Sequence, residues 1–275
     1  MTSWLITGVS GGLGRALAEA ALARGDKVAG TVRKPADLAA FEALAPGRSL
    51  GYLADMADET AVREAVARAE ADLGGIDILV GNAGYGLVGA VEESSLAEIR
   101  AQFEVNVFGP IAAIQAVLPH FRQRRAGHII TITSVSGVAA WAGTGIYCGS
   151  KHALEGVTQT LAQEVAELGI KVTNVEPGGM RTDYAGRSLI VTQQQIADYD
   201  GAARNAQRIL GDHAGQEPGD PAKVAAAILA VAGAEDPPLQ LLLGADAMLY
   251  ATRQLAQFQT EIGRWAKLSL STGYD

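Results

Sequence analysis

Residues Thr7–Gly14, with the sequence TGVSGGLG, decide the fold. They follow a short apolar run, Trp4–Thr7, and open an Ala- and Leu-rich segment, Leu13–Arg24. Glycines permit positive φ and let backbone N–H groups approach a ligand closely, and the amino end of a helix favours a phosphate group. The spacing TGxxxGxG differs from the common GxGxxG fingerprint. Its place between a strand and a helix nevertheless predicts a phosphate-binding loop rather than a simple tight turn.

Short apolar runs alternate with longer segments of helical period along the rest of the chain. The predicted strands are Trp4–Thr7, Lys27–Val32, Leu50–Leu53, Asp77–Val80, His128–Thr133, Lys171–Val175 and Leu239–Leu243. The predicted helices include Leu13–Arg24, Glu59–Leu73, Leu96–Phe103, Ile111–Arg122, His152–Leu168 and Pro221–Ala232. Continuous apolar strands are covered on both faces, and their alternation with helices predicts a parallel sheet. We therefore expect an α/β fold: a single Rossmann-type domain over residues 1–275, doubly wound, with about seven strands and helices on both faces.

Two segments depart from this regular alternation. Tyr184–Asp220 is polar, Gln-rich and interrupted by Gly and Pro. A long irregular insert in a compact domain is usually functional, so we expect a lid over the substrate around residues 184–220, the alternative being a solvated surface loop. The last segment, Asp246–Leu268, fits either one more amphipathic helix or a contact between subunits. It belongs to a C-terminal extension around residues 245–275.

Composition excludes several classes of protein. The chain has 275 residues, of which 48% are apolar and 19% charged, which is too apolar for a disordered chain. The formal net charge of −8 disfavours nucleic-acid binding. We find neither a signal peptide nor about 18 consecutive apolar residues, and expect a soluble, cytoplasmic protein with no membrane span. The single cysteine, Cys148, suits a reducing compartment, and the four scattered His residues lack metal-ligand spacing.

The residues after the second predicted strand indicate which dinucleotide binds. An acidic residue at this place bonds the ribose of NAD, but here the strand ends in Arg33 and Lys34, and the nearest carboxylate, Asp26, precedes it. A guanidinium pairs well with a 2′-phosphate. We therefore predict that NADP(H) is preferred and that NAD(H) is possible. Asp55, just past the third strand, suits the adenine amino group or a helix cap, although Asp58 is better placed to cap that helix.

A possible catalytic set lies after the fifth predicted strand. Tyr147 and Lys151 are four residues apart, which on a helix places both on one face. An ammonium about 4 Å from the phenol would lower the phenol pKa from about 10 to no less than about 7, before desolvation is counted. Ser134 directly follows the strand His128–Thr133, at the edge where open α/β sheets bind their ligands. The three residues therefore predict acid–base chemistry on a substrate oxygen.

In this order the motifs resemble the short-chain dehydrogenase/reductase family over nearly the whole chain. The matching features are Thr7–Gly14, Asp55, Asn82–Gly84, Asn106, Ser134 with Tyr147 and Lys151, Pro177–Gly178 and Thr182. There are two departures. Gly81 stands where family members often have Asn, and Ser10 and Gly11 stand where some NADP-preferring members carry a basic residue. The segment Tyr147–Gly156 is similar to the hydroxysteroid and retinol dehydrogenase branch.

The resemblance implies a role for each matching residue. Tyr147 would be the general acid in carbonyl reduction, Lys151 would lower its pKa and bond the nicotinamide ribose, Ser134 would orient the substrate oxygen, and Asn106 would hold a water. Thr182 would contact the nicotinamide carboxamide. The full predicted cofactor set is Gly8, Ser10, Gly11, Gly12, Leu13, Gly14, Arg33, Lys34, Asp55, Met56, Asn82, Ala83, Gly84, Tyr147, Lys151, Pro177, Gly178 and Thr182.

The sequence says less about which residues line the substrate end of the site. Trp141, Met180 and Tyr184 fall in loops that border the nicotinamide end, where they either line an apolar pocket or only pack the loops. We interpret Cys148 as a packing residue and His152 as either a packing residue or part of a subunit contact. The helix His152–Leu168 is apolar on more than one face, and in this family such a helix often packs in a homodimer or homotetramer.

These observations favour an NADP(H)-dependent oxidoreductase that transfers a hydride between nicotinamide and a secondary alcohol or ketone, with a hydrophobic substrate. Two alternatives remain. The fold also suits an NADP(H)-binding sensor or scaffold protein, which has no need of an intact acid–base set. An epimerase or dehydratase that uses the cofactor without net turnover usually needs further acid–base groups or a larger substrate domain.

Overall fold

A parallel sheet of seven strands forms the centre of the computed structural model, which describes residues 1–182, 188–212 and 215–274. Its strand order is β3-β2-β1-β4-β6-β7-β9, and a separate two-stranded sheet joins β5 to β8. The strands are β1 Ser3–Ile6, β2 Lys27–Val32, β3 Ser49–Leu53, β4 Ile78–Gly81, β5 Gly86–Val88, β6 Gly127–Ile132, β7 Ile170–Pro177, β8 Leu189–Val191 and β9 Gln240–Leu243. The order reverses between β1 and β4, so their carboxyl ends flank the crevice where open α/β sheets bind ligands.

Helices cover both faces of the large sheet. They are α1 Gly12–Ala23, α2 Pro35–Glu42, α3 Glu59–Leu73, α4 Leu96–Phe103, α5 Gly109–Arg124, α6 Gly145–Val165, α7 Asn205–Asp212, α8 Pro221–Ala232 and α9 Ala245–Leu270. A π-helical turn, Glu104–Phe108, joins α4 to α5. The combined helix is long and apolar enough to cross a membrane by length and composition, but half of its apolar window is buried inside the protein, as in the core helix of a globular fold.

Neighbouring residues of the same strands build the two hydrophobic layers. Leu5 on β1 packs with Leu79 and Ile129 under α3, α5 and α6. The next residue, Ile6, packs with residues of β4 and β6 and of α1 and α8 on the opposite face. Because side chains alternate along a strand, only a strand apolar at both positions can support both layers. The predicted doubly wound sheet of seven strands is confirmed.

Most predicted elements begin and end within a few residues of the observed ones, but one helix start needs correction and two features were missed. Helix α6 begins at Gly145 rather than at His152, so Tyr147 and Lys151 lie in its first turns. The low helix propensity of Gly145 and Gly149 hid that start. Helix α2 and the small β5–β8 sheet were not predicted from the sequence.

The segment Tyr184–Asp220 is more regular than its composition indicates. Its described part contains β8, a 3-10 turn at Ala197–Tyr199, a π-helical turn at Asp200–Arg204 and helix α7. Tyr184 lies outside the described residues. The helix suggested over Asp246–Leu268 is present as α9.

Candidate active site

The glycine loop between β1 and α1 has a backbone conformation and close contacts that a residue with a Cβ could not adopt at several positions. Gly8 and Gly12 have positive φ values of 74° and 58°. A Cβ on Gly14 would lie 2.3 Å from the carbonyl oxygen of Gly8 and 2.4 Å from the side-chain nitrogen of Asn82. Such distances are far inside van der Waals contact, so glycine is needed at position 14 for the loop to close onto Asn82.

Two polar side chains hold this loop against the end of β4. The Thr7 Oγ1 accepts hydrogen bonds from the backbone N–H groups of Asn82 (2.9 Å) and Ala83 (3.0 Å). In return the Asn82 side chain donates to the carbonyl oxygens of Thr7 (2.8 Å) and Gly8 (3.2 Å). We call Thr7–Gly14 together with Asn82–Gly84 the cofactor cradle, and its conformation is set by these reciprocal bonds.

The cradle fits a dinucleotide phosphate. Gly11 precedes α1 in an extended conformation, and within residues 1–182, 188–212 and 215–274 no side chain caps the first turn of the helix. The first N–H groups of a helix have no acceptor within the helix and attract anions. Ser10 is exposed, Leu13 is buried in the core, and the Thr182 methyl would lie 3.8 Å from a Cβ on Gly12.

The residues predicted for the adenosine end lie past β2 and β3. Arg33 and Lys34 are exposed directly after β2, and the Asp55 carboxylate accepts a hydrogen bond of 3.0 Å from the N–H of Ala57. The Met56 side chain is buried and packs close to Gly109, where a Cβ would lie 2.9 Å from the Met56 Cβ. Met56 therefore has only its backbone available to a cofactor. Asp58, as expected, caps α3 by accepting from the N–H of Ala61 at 3.0 Å.

Tyr85 is a residue of this end that the sequence did not point to. Burial raises the pKa of its phenol, while the positive charge of Arg33 acts in the opposite direction. Tyr85 and Arg33 therefore lie within electrostatic reach of each other, although they follow different strands. Its position directly after Asn82–Gly84 was the available signal.

Tyr147 and Lys151 lie one turn apart on α6. The Lys151 Nζ is 5.8 Å from the centroid of the Tyr147 ring and donates a 3.0 Å hydrogen bond to the carbonyl oxygen of Ile132 at the end of β6. Burial lowers the pKa of Lys151 to about 8, against the opposing effect of the Glu155 carboxylate. An ammonium held in this way beside a phenol favours the phenolate.

Asn106 reaches the same place from the π-helical turn Glu104–Phe108. Its amide nitrogen donates to the Tyr85 carbonyl (2.9 Å) and to the Ser150 hydroxyl (3.2 Å), and its Oδ1 accepts from the Tyr85 N–H (3.1 Å). A Cβ on Gly84 would lie 3.1 Å from the Asn106 Oδ1 and 3.6 Å from the Lys151 Nζ. Gly84 therefore keeps the space between the amide and the ammonium open. The extra residue of a π turn redirects a side chain, and such turns occur frequently at functional sites.

Ser134 lies two residues past the end of β6, close to the strand end as predicted, and is buried. Its Oγ accepts a 3.0 Å hydrogen bond from the N–H of Ser136, which leaves its own hydrogen to donate to a substrate oxygen. The turn Val135–Gly137 packs on α6, and a Cβ on Gly137 would meet the Glu155 side chain at 2.8 Å. Ser134 is thereby positioned relative to the helix that carries Tyr147 and Lys151.

Comparison with known proteins agrees with this geometry. A family model described as short chain dehydrogenase matches residues 3–189. The chain belongs to the short-chain dehydrogenase family. It is 38% identical to Oxidoreductase BOA17 of Botryotinia fuckeliana, over 98% of both chains. It is 34% identical to 3-ketodihydrosphingosine reductase of Bacteroides thetaiotaomicron, over 87% of each.

A solved structure extends the likeness to three dimensions. The crystal structure of a short-chain dehydrogenase from Streptomyces avermitilis superposes with a TM-score of 0.93 at 38% identity, covering 99% of this chain and 98% of that one. The protein is therefore a dehydrogenase or reductase of alcohol and carbonyl groups, of a family that binds NAD(P).

In this dehydrogenase the predicted pocket residues have different surroundings. The Trp141 ring meets the Tyr250 ring of α9 edge-on, with centroids 5.3 Å apart. Met180 pairs with Gly219 through the backbone, and its side chain packs against the core layer of α1 and α8. Tyr250 has no signal in the sequence, because only the tertiary fold brings it to Trp141.

The ends of β7 and β9 meet around Gly178. Pro177 is the last residue of β7, and a Cβ on Gly178 would lie 2.3 Å from the Asp246 carboxylate. That carboxylate accepts a 2.8 Å hydrogen bond from the N–H of Gly179. Asp246, which the sequence did not indicate, thus holds the Pro177–Gly178 turn.

The described part of Tyr184–Asp220 is attached to the body through Glu93. This carboxylate is fully buried and accepts hydrogen bonds from the N–H groups of Ala90 (2.7 Å) and Ile196 (2.7 Å) and from the Arg204 guanidinium. Burial raises the pKa of Glu93, but these hydrogen bonds outweigh it and hold the pKa below its ordinary value. We call residues 188–212 the substrate-side segment, after the expectation that this insert covers the substrate; its Ala203 packs against Gly143 in the loop after Trp141.

The remaining candidate ligands do not assemble. Cys148 is buried, as expected of a packing residue, and its sulfur lies 3.3 Å from the Thr144 hydroxyl. His152 is exposed, so the interpretation that it packs inside this chain is wrong, because the outer face of α6 carries it. Across the described ranges, no three His, Cys, Asp or Glu side chains are placed to hold a metal ion.

Proposed function

We propose that the protein is an NADP(H)-dependent oxidoreductase that interconverts a secondary alcohol and a ketone on a hydrophobic substrate. The observation that carries this proposal is the convergence of Tyr147, Lys151 and Asn106 beside Gly84, with Ser134 on the adjoining turn. A protein that only bound the cofactor would have no use for this set, which disfavours the sensor and scaffold alternatives.

A nicotinamide bound in the crevice would supply or accept the hydride. The chain's own residues handle the proton. Ser134 donates a hydrogen bond to the substrate oxygen, and Tyr147 gives that oxygen its proton in the direction of reduction. The Lys151 charge stabilises the phenolate that remains. Asn106 and Lys151 face the open space at Gly84, where a water would return the proton to Tyr147.

Arg33 and Lys34 support the preference for NADP(H). They stand exposed after β2, where an NAD-specific site needs a carboxylate, and a guanidinium binds a 2′-phosphate through two parallel hydrogen bonds. We expect Arg33→Ala to raise the KM for NADPH about tenfold or more and to leave the KM for NADH nearly unchanged. Arg122→Ala, on an exposed arginine of α5, is the control. Equal effects on both cofactors would contradict the preference.

Two observations support a hydrophobic substrate. Trp141 and Tyr250 offer aromatic surface on the side of the substrate-side segment, and one relative carries the name of a reductase of a long-chain ketone, 3-ketodihydrosphingosine. The buried, unbridged Cys148 suits a reducing compartment such as the cytoplasm.

The decisive experiment follows NADPH consumption with a panel of aliphatic, aromatic and long-chain ketones. Tyr147→Phe removes the proton donor, and we expect a rate loss of about 10²- to 10⁴-fold with NADPH binding retained. Tyr274→Phe, which alters an exposed phenol near the carboxyl end, is the matched control. Tight NADPH binding without turnover of any ketone or alcohol would instead favour a sensor.

A further inference from the structure

Helix α9 leaves the body of the protein after its first turns. Ala247 and Ala251 are buried against Val135, beside the turn that carries Ser134. From Thr252 to Leu270 nearly every residue is exposed. We call this part, residues 252–270, the C-terminal arm.

The arm carries one apolar stripe along its length. Leu255, Phe258, Ile262 and Trp265 are spaced by three, four and three residues, and their exposed fractions are 58%, 60%, 55% and 54%. This spacing places all four on one face of the helix and is the pattern of the seam between two paired helices. Arg253, Thr260 and Lys267 fall on the opposite face.

An exposed helix of this kind needs a partner. Helices in proteins gain most of their stability from packing an apolar face, and isolated helices are marginal in water. The solved Streptomyces avermitilis chain covers 99% of this one, so the arm has a counterpart in a protein whose structure was determined by crystallography. Because the arm is helical although its apolar stripe is exposed, we expect another surface to cover the stripe.

The chemistry around the stripe favours a second copy of the chain. Gln254, Gln259 and Glu261 flank it, so the border of the stripe carries one charge among amide side chains. The exposed stripe amounts to roughly 500 Å² on each arm, so two arms bury about 1,000 Å², the lower bound for a specific interface.

We propose that the C-terminal arm pairs with the arm of a second copy, stripe against stripe, in a two-fold symmetric contact. In such a contact the same surface serves both subunits, so one substitution acts twice. The contact is separate from the face of α6 on which the sequence predicted subunit packing.

The test compares the mass of variants in solution by sedimentation velocity over a concentration series. Phe258→Glu with Ile262→Glu places two charges in the stripe, and Gln257→Glu with Thr260→Glu places two on the polar side. We expect the first variant to have half the mass of the wild type and the second to keep the wild-type mass. Circular dichroism and NADPH binding establish that each variant is folded. Deletion of residues 252–275 provides a second variant, also expected at half the mass.

Three results would overturn the proposal. In the first, the wild type is monomeric throughout the concentration series. In the second, the stripe variant and the deletion keep the mass of the wild type, which places the contact elsewhere. In the third, the wild type would float with vesicles of phosphatidylcholine and phosphatidylglycerol and the stripe variant would not, with no change of mass in solution. That result would assign the stripe to a membrane surface.

Discussion

The cofactor cradle and the substrate-side segment are held to the protein by different kinds of contact. The cradle closes through backbone approach at Gly8 and Gly14 and through the bonds of Thr7 and Asn82, at the ends of adjacent central strands. The substrate-side segment adds one short strand to β5, packs Ala203 against Gly143 and is further held by bonds to the carboxylates of Glu92, Glu93 and Glu98. A rigid cradle beside a separately anchored segment allows substrates to change while the cofactor site stays the same.

Among the changes that distinguish these two regions, the largest effect is expected at Gly14. In Gly14→Ala the new methyl group would collide with the Gly8 carbonyl oxygen and Asn82, so the loop has to open. Overpacking of about 1–3 kcal/mol corresponds to a loss of up to roughly 100-fold in NADPH affinity. Titration of NADPH fluorescence measures it. Gly156→Ala, where a Cβ meets nothing within 4 Å, is the control and should bind NADPH normally. Normal binding by Gly14→Ala would show that the cradle is more pliable than its contacts indicate.

The second prediction is a substitution that affects the substrate-side segment and leaves the cradle unchanged. Glu93→Gln removes the buried charge that faces Arg204, so the substrate-side segment should loosen while the cradle is unaffected. We expect the KM for the ketone to rise about tenfold, with the Kd for NADPH within about twofold of the wild type. Glu92→Gln is the matched control, because this neighbouring carboxylate pairs with Tyr199 at the exposed surface. If Glu93→Gln weakens NADPH binding as much as it raises the KM for the ketone, the two regions are not independent.

The third prediction concerns Lys151, whose Nζ lies beside Gly84 of the cradle. Its pKa of about 8 is lowered by burial, so the ammonium is present below that pH and is lost above it. We expect kcat/KM for ketone reduction to fall above about pH 8, approaching tenfold per pH unit. In Lys151→Arg the fall should move to higher pH, because a guanidinium stays charged. A wild-type profile that is flat to pH 10 would contradict the assignment.

The smallest effect is expected on acidification. The pKa values of Glu93 and Glu98 are held below their ordinary value, Glu93 despite its burial and Glu98 by the Ser95 hydroxyl and the N–H of Gln193. Their stabilising contribution is therefore complete above the unfolded pKa of about 4.3 and is lost as the pH falls through the lower folded values. Limited proteolysis at decreasing pH should cut residues 188–212 before it cuts the cradle. Simultaneous cleavage of both regions would argue against separate anchoring.

Much of the site was predictable because its signals are local. A strand, a glycine loop and a helix start follow one another within Trp4–Leu17, and Tyr147 and Lys151 are related by one helical turn. Asn106 was assigned by resemblance, but the π-helical turn that directs it has no recognisable pattern in the sequence. Its partners Tyr85 and Ser150 come from other elements.

Contacts between distant residues were not predictable. Glu93 and Arg204 are 111 positions apart, and each residue taken singly reads as an ordinary surface charge. Gly145 and Gly149 concealed the start of α6, because packing against the turn after Ser134 outweighs their low helix propensity. Trp141 was singled out as a pocket residue, whereas its partner Tyr250 was not.

The sequence by itself determined the seven strands of the large sheet, the glycine loop and the spacing of Tyr147 and Lys151, because each depends on backbone geometry within a few residues. Only the tertiary structure decided how the substrate-side segment is anchored, where Asn106 points and that the C-terminal arm stands clear of the body. Those features arise from burial and pairing between residues distant in the chain, and the partner of a charged or apolar residue cannot be deduced from that residue alone.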